Sequence, residues 1–183
     1  QALLHRIRAV FARVFRRDAR DLGLDVVYDV AHNIARLETH PHEGRPRPLL
    51  VHRKGATRAL AAGDPRLPAS YVGVGQPIII GGSMETGSYL LVGSPGAEAA
   101  WASTAHGSGR TMSRHEAARR WDGRRLQQDL AGRGIYVRSG SARALAEEAG
   151  GAYKDIDAVV EATRLAGLSR PVARFRPLGN VKG

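Results

Sequence analysis

Residues 78–93 read IIIGGSMETGSYLLVG. One apolar run, Pro77 to Ile80, stops at Gly81-Gly82-Ser83, and a second begins at Ser88 and reaches Gly93. Short apolar runs bounded by glycine read as buried strands, so the segment predicts strand, Gly-rich loop, strand. A glycine loop directly after a strand either exposes backbone N–H groups to phosphate or is simply a turn. Gly82 and Gly87 keep the four-residue gap of the nucleoside-triphosphate P-loop, but Ser88 stands where that motif needs its lysine. P-loop kinase or ATPase chemistry is therefore not expected.

Upstream, Leu3, Leu4, Ile7, Val10, Phe11, Val14 and Phe15 recur at helical spacing, with Arg6, Arg8, Arg13, Arg16 and Arg17 largely opposite. This predicts an amphipathic helix whose basic face is either solvated or an RNA track. LDVVY, 24–28, reads as a short buried strand and 40–47, HPHEGRPR, as a loop, with a strand at 49–52 and an alternating stretch at 71–75. Downstream, STAHGSGRTMSR reads as a loop ending at a capping box, Ser113 with Glu116 three residues on. A strand at 134–138, helices at 141–149 and 155–165, and an extended tail from Pro171 complete the pattern. No repeat and no dividing linker is visible. The class is α+β, with mixed sheets and Gly-rich loops at strand ends.

Composition narrows the function. Of the 183 residues, 43% are hydrophobic and 25% charged, ordinary globular values that exclude disorder. Zero cysteines exclude disulfides and thiolate metal sites in these residues. No apolar run or leader pattern points to a membrane or to secretion, so a cytoplasmic location is expected. A net charge of +11 favours a polyanionic partner, although the cation is nearly all Arg, which GC-rich codon usage also produces. Aromatics at 5% disfavour a base-stacking platform.

Three segments can carry chemistry. AHGSGR, 105–110, surrounds His106 with small residues, so a bulky substrate can approach an imidazole competent to attack phosphorus, and Arg110 can pair with a phosphate oxygen. An exposed turn histidine is the plain alternative. DVAHN offers His32 beside Asn33, and one histidine is not a metal site. His40 and His42 read as solvated loop residues. HRKGATR gathers Arg53, Lys54 and Arg58 around Gly55, either a phosphate-binding loop or solvated charge.

In order, YDVAHNIARLE, VHRKGATRA, IIIGGSMETGSYLLVG, STAHGSGRTMSR, YKDIDAVVEAT and the closing RPLGNVKG resemble the C-terminal half of the RtcB family of GTP-dependent RNA-splicing ligases, from about residue 20 onward. The resemblance implies that an RNA 3′-phosphate or 2′,3′-cyclic phosphate end is joined to a 5′-hydroxyl end, with GTP and manganese, through a histidine–GMP intermediate. It implies His106 as the nucleophile, His32 as a manganese ligand, and a guanylate held by His32, Asn33, Gly81, Gly82, Ser83, Met84, Ser88, Gly107, Ser108, Gly109 and Lys182. Arg53, Lys54, Arg58 and Arg110 are then candidates for RNA or triphosphate oxygens. The loop reads GGSM where a proline often precedes Gly-Ser-Met, and HGSG where HGAG is commoner.

The family's DxGCGM and GGGNH segments do not occur in this sequence, and Gln1 rather than Met opens it. The expectation is therefore the C-terminal part of one catalytic domain, inactive alone. The N-terminal metal-binding half is expected as its partner, along with broken RNA or tRNA halves. The alternative is a non-catalytic nucleotide- or RNA-binding fragment of such a ligase.

Overall fold

The computed structural model describes residues 2–182. It holds five α-helices and nine short strands, arranged as three two-stranded sheets and one three-stranded sheet. The class is α+β, as the sequence predicts.

The 78–93 segment forms the centre. Strands β4 (Pro77–Gly81) and β5 (Ser88–Gly93) pair antiparallel, and β8 (Ser169–Phe175) adds to the other edge of β5. Ile78 and Ile80 point one way and are buried with Leu91, Ala59 and Ala97. Helix α5 (Ile156–Leu165) covers that face with Ile156 and Val160, while Ile79 faces the opposite side and is half exposed. The period-two reversal explains the split. Residues 82–87 turn tightly between the strands. Gly87 has φ +91°, and a Cβ there would lie 2.1 Å from the carbonyl oxygen of Phe175. Glycine is required at this point.

A second layer holds α3 (Gly123–Gly132), α4 (Ala142–Glu147) and β7 (Tyr136–Ser139), with α2 (Arg114–Arg120) against α4. Its core is Leu130, Ile135, Val137, Leu145 and Met84, so the 82–87 loop is pinned here by its methionine. Ser113 caps α2 by accepting the Glu116 N–H, whereas the Glu116 carboxylate pairs forward with Arg120. One arm of the expected box is present. The tail is extended, as read: β9 (Gly179–Lys182) pairs parallel with β7, and Asn180 Nδ2 donates to the Met84 carbonyl at 3.5 Å.

The N-terminal third departs from the sequence reading. Residues 40–47 are not a loop. They form the far end of a hairpin, β1 (Asn33–His42) with β2 (Arg45–Lys54). Glu43 (φ +51°) and Gly44 (φ +73°) make its two-residue turn, the left-handed pair that matches strand twist. Pro41, Pro46 and Pro48 are tolerated because a two-stranded ribbon has edges on both sides. Residues 24–28 form no strand, and Val26 and Val27 are exposed. Residues 71–75 are turns following a 3-10 segment, Ala69–Tyr71. Helix α1 (Ala2–Phe15) forms as read, yet Leu3 and Val14 on its apolar face are 73% and 65% exposed. Arg8 anchors it by donating from Nε and Nη2 to the Leu24 carbonyl.

Candidate functional site

Two glycine loops meet edge to edge. Strand β6 (Ser103–Ala105) pairs with β3 (Ala56–Arg58) and runs directly into His106. There the chain passes the end of β4: Gly81 N–H donates to the His106 carbonyl at 3.1 Å, and Ser108 N–H donates to the Gly81 carbonyl at 2.8 Å. A Cβ on Gly107 would sit 3.3 Å from that carbonyl, so the small residue permits the close crossing. Farther on, Lys154 N–H holds the Gly109 carbonyl.

The crossing presents the His106 ring to the start of the hairpin. His32, the residue before β1, stacks on it, with ring centroids 4.4 Å apart and planes 28° from parallel. His106 is partly buried. That burial, and secondarily the neighbouring His32, push its imidazole below the ordinary histidine value. The charged imidazolium is thereby disfavoured, which leaves a ring lone pair available.

On one side of the pair lies a cavity of about 1000 Å³, walled by Asn33, Lys54, Gly55, Gly81, Gly82 and residues 107–110, with Arg114 and Tyr153. Five glycines bring backbone to its surface, and Lys54, Arg110 and Arg114 supply positive charge; that chemistry fits a nucleotide's phosphates. The Ser108 hydroxyl is buried at this wall without a hydrogen-bond partner. On the other side, a mostly apolar cavity of about 360 Å³ is lined by Val27, Ile79, Leu90 and the same two histidines, with the unpartnered Thr57 hydroxyl buried in its wall.

Of the candidate residues, His32, Asn33, Lys54, Gly81, Gly82, His106, Gly107, Ser108, Gly109 and Arg110 line this one cavity. Others do not. Met84 is 1% exposed and its side chain belongs to the helical core, not to the cavity. The Ser83 hydroxyl is spent within its own turn, accepting from Glu85 N–H and bonded to Thr86 Oγ1. Ser88 pairs with Gly81 in the sheet, outside the cavity wall. The side chain of Lys182 lies outside the described residues.

The cationic loop is corrected as well. Arg53 is 3% exposed; Nη1 and Nη2 grip the two oxygens of Glu38 at 2.8 Å, Nε donates to Ser103 Oγ and Nη2 also to the Trp101 carbonyl. It offers nothing to phosphate. Arg58 donates to Gln76 and faces the cavities on the far side of the hairpin. Arg110 donates to the Met112 and Glu147 carbonyls and to Tyr153 Oη, and its guanidinium lies 4.7 Å from the Tyr153 ring centre. It braces the loop as much as it faces the cavity. The sequence reading named Gly55 only as the centre of its cationic loop, and gave no role to Arg114 or Tyr153. Their position in HRKGATR, TMSR and YKD was the available signal.

Manganese does not fit these residues alone. Among the described residues no group of three His, Cys, Asp or Glu could hold a metal ion, and His32 offers a single imidazole.

The sequence pattern of the tRNA-splicing ligase RtcB family matches residues 1–183. The protein named tRNA-splicing ligase RtcB from Thermococcus kodakarensis is 50% identical over 184 residues, covering all of this chain and 38% of that protein. RNA-splicing ligase RtcB from Mycobacterium tuberculosis is 51% identical over 183 residues, again all of this chain and 41% of the relative. The Archaeoglobus fulgidus tRNA-splicing ligase RtcB is 50% identical, with 38% of its length covered. This chain therefore spans about two fifths of the length of these relatives. With half its residues shared along the whole of its length, the chain belongs to the RtcB family.

Proposed function

We propose that this chain is the nucleophile-bearing part of a GTP-dependent RNA ligase acting in tRNA splicing or RNA repair. The observation that carries the reading is a half-buried His106 at the crossing of two glycine loops, on the wall of a cationic cavity. The His106 lone pair attacks the α-phosphorus of GTP and pyrophosphate leaves, giving a phosphoramidate. Once the ring nitrogen is protonated it becomes a good leaving group, and GMP passes to an RNA 3′-phosphate. The 5′-hydroxyl of the second RNA then attacks that phosphorus, the joining bond forms and GMP departs. Gly81, Gly82 and residues 107–109 turn backbone to the guanylate. Lys54, Arg110 and Arg114 offset phosphate charge, and Lys182 joins them on the family pattern.

His32 serves as one manganese ligand, and the remaining ligands come from polypeptide outside these 183 residues. A cytoplasmic location accords with this reading, and no helix among the described residues is long and apolar enough to cross a membrane. No group of three His, Cys, Asp or Glu among the described residues could hold a metal ion, which favours a second reading for the chain in isolation, a piece that binds nucleotide or RNA without joining ends. The test is to mix RNA ending in a 3′-phosphate with RNA beginning in a 5′-hydroxyl, GTP and manganese. The natural protein containing these residues yields joined RNA and the 183-residue chain alone does not. No joined product from the natural protein overturns the ligase reading.

A further inference from the structure

The residue that the sequence placed on phosphate has a different use. Four ionisable side chains form one continuous string across the hairpin. His40 Nδ1 lies 2.7 Å from Glu98 Oε1, and its Nε2 lies 3.0 Å from Glu38 Oε2. Glu38 takes both terminal nitrogens of Arg53, and Arg53 Nε ends the string on Ser103 Oγ at 2.9 Å. His40 is fully buried and Arg53 nearly so. Both ring nitrogens of His40 meet carboxylate oxygens. Arg53 sets a fixed cation against the Glu38 carboxylate, the condition under which buried charge is tolerated.

The two ends of this string belong to different parts of the site. His32 immediately precedes β1, and Lys54 ends β2 directly opposite Asn33, one residue beyond Arg53. Ser103 opens β6, which delivers His106 three residues later. Glu98 sits in the 3-10 segment Pro95–Ala100 that leads into β6. Backbone pairing between the two parts is slight: β3 and β6 share only the register Ala56↔Ala105 to Arg58↔Ser103. Side chains therefore add to the few backbone bonds between the two parts: Arg53 reaches Ser103 near the hairpin's root, and His40 reaches Glu98 nearer its tip.

We propose that Arg53, with Glu38, His40 and Glu98, is a positioning cluster that sets the separation of His32 and His106 by clamping the β1–β2 hairpin to the strand that carries His106. This rests on the reading of His106 as the nucleophile. None of the four touches the nucleotide cavity. They act through the angle and reach of the two imidazoles, to which transfer chemistry is sensitive at the scale of an ångström.

The test uses Arg53→Lys, Ser103→Ala and Glu98→Gln, with Arg66→Ala as a surface-pair control. In the 183-residue chain, the readout is the NOE between the His32 and His106 ring protons. In the natural protein with GTP and manganese, it is the single-turnover rate of GMP attachment across GTP concentrations. Ser103→Ala and Glu98→Gln are small changes that keep Arg53 paired with Glu38, so they remain informative even where Arg53→Lys fails to fold. The expected result is a weakened ring–ring NOE in the cluster variants. With it, the maximal rate falls by about tenfold or more while half-saturating GTP stays within about twofold, the signature of misplacement rather than lost binding. Arg66→Ala matches wild type in both. Folded cluster variants with a lower Tm but wild-type NOE and wild-type rate overturn the proposal, since the cluster is then only structural. A wild-type protein that forms no GMP adduct defeats the ligase reading instead. The NOE arm then still decides whether the cluster positions the histidines.

Discussion

The rings of His32 and His106 face each other at 4.4 Å although they arrive from strands that do not pair with one another. Two imidazolium ions at that distance would repel, and the neighbouring His32 disfavours the charged form of His106. The arrangement favours the unprotonated form of the candidate nucleophile, and partial burial does so more strongly.

His32→Ala removes the neighbouring charge and, because the two rings stack, part of the cover over His106 as well. In this variant, His106 titrates closer to the ordinary histidine value than in wild type, yet still below it. Proton NMR titration of the metal-free chain reads this directly. An unchanged midpoint would show that burial by other residues alone sets the His106 proton affinity.

Acid stability depends on the hairpin's own charge cluster. Burial pushes the Glu38 carboxyl up, but hydrogen bonds from Arg53 and then His40 outweigh it and hold the group down at about 2, against 4.5 for a free glutamate. A carboxyl depressed on folding contributes stability that is fully present above the unfolded value and is lost as pH falls through the folded one. The loss attributable to Glu38 therefore falls between about pH 4.5 and pH 2. Urea midpoints across this window should drop less steeply in Glu38→Gln than in wild type, from a lower starting stability at pH 7. Parallel acid slopes in the two proteins would remove Glu38 from this role.

Met84 separates a core contact from a ligand contact. Its side chain lies among Leu130, Ile135, Val137 and Leu145, so Met84→Ala should cost about 2–5 kcal/mol of folding stability. Met84→Leu preserves volume and should cost less than about 1.5 kcal/mol, with GMP attachment near wild type. A stably folded Met84→Leu protein that cannot attach GMP would put the side chain back against the nucleotide.

What was legible in the sequence had local causes. The strands flanking 82–87 follow from an apolar run closed by glycine, and the Ser113 cap from its spacing to Glu116. The β1–β2 hairpin was not legible, because three prolines and a glycine within 41–48 signal a loop. They are absorbed only because the ribbon is two strands wide. Arg53 looked like a free cation beside Gly55, since its partner Glu38 lies 15 residues away and meets it only when the hairpin closes. The period of α1 fixed its helical state but not a partner for its apolar face, which depends on a facing surface and not on periodicity. The site was readable where glycines and His106 share short motifs. It was not readable where Tyr153 and Arg110 meet across 43 residues.

The central claim is that His106 carries GMP. The natural protein is incubated with GTP labelled at the α-phosphate and manganese, quenched at alkaline pH to spare a phosphoramidate, digested and mapped by mass. The account predicts label on a single peptide, the one containing His106, lost in His106→Ala and retained in His42→Ala and His115→Ala. Label that survives His106→Ala, or that maps to any other residue, contradicts it.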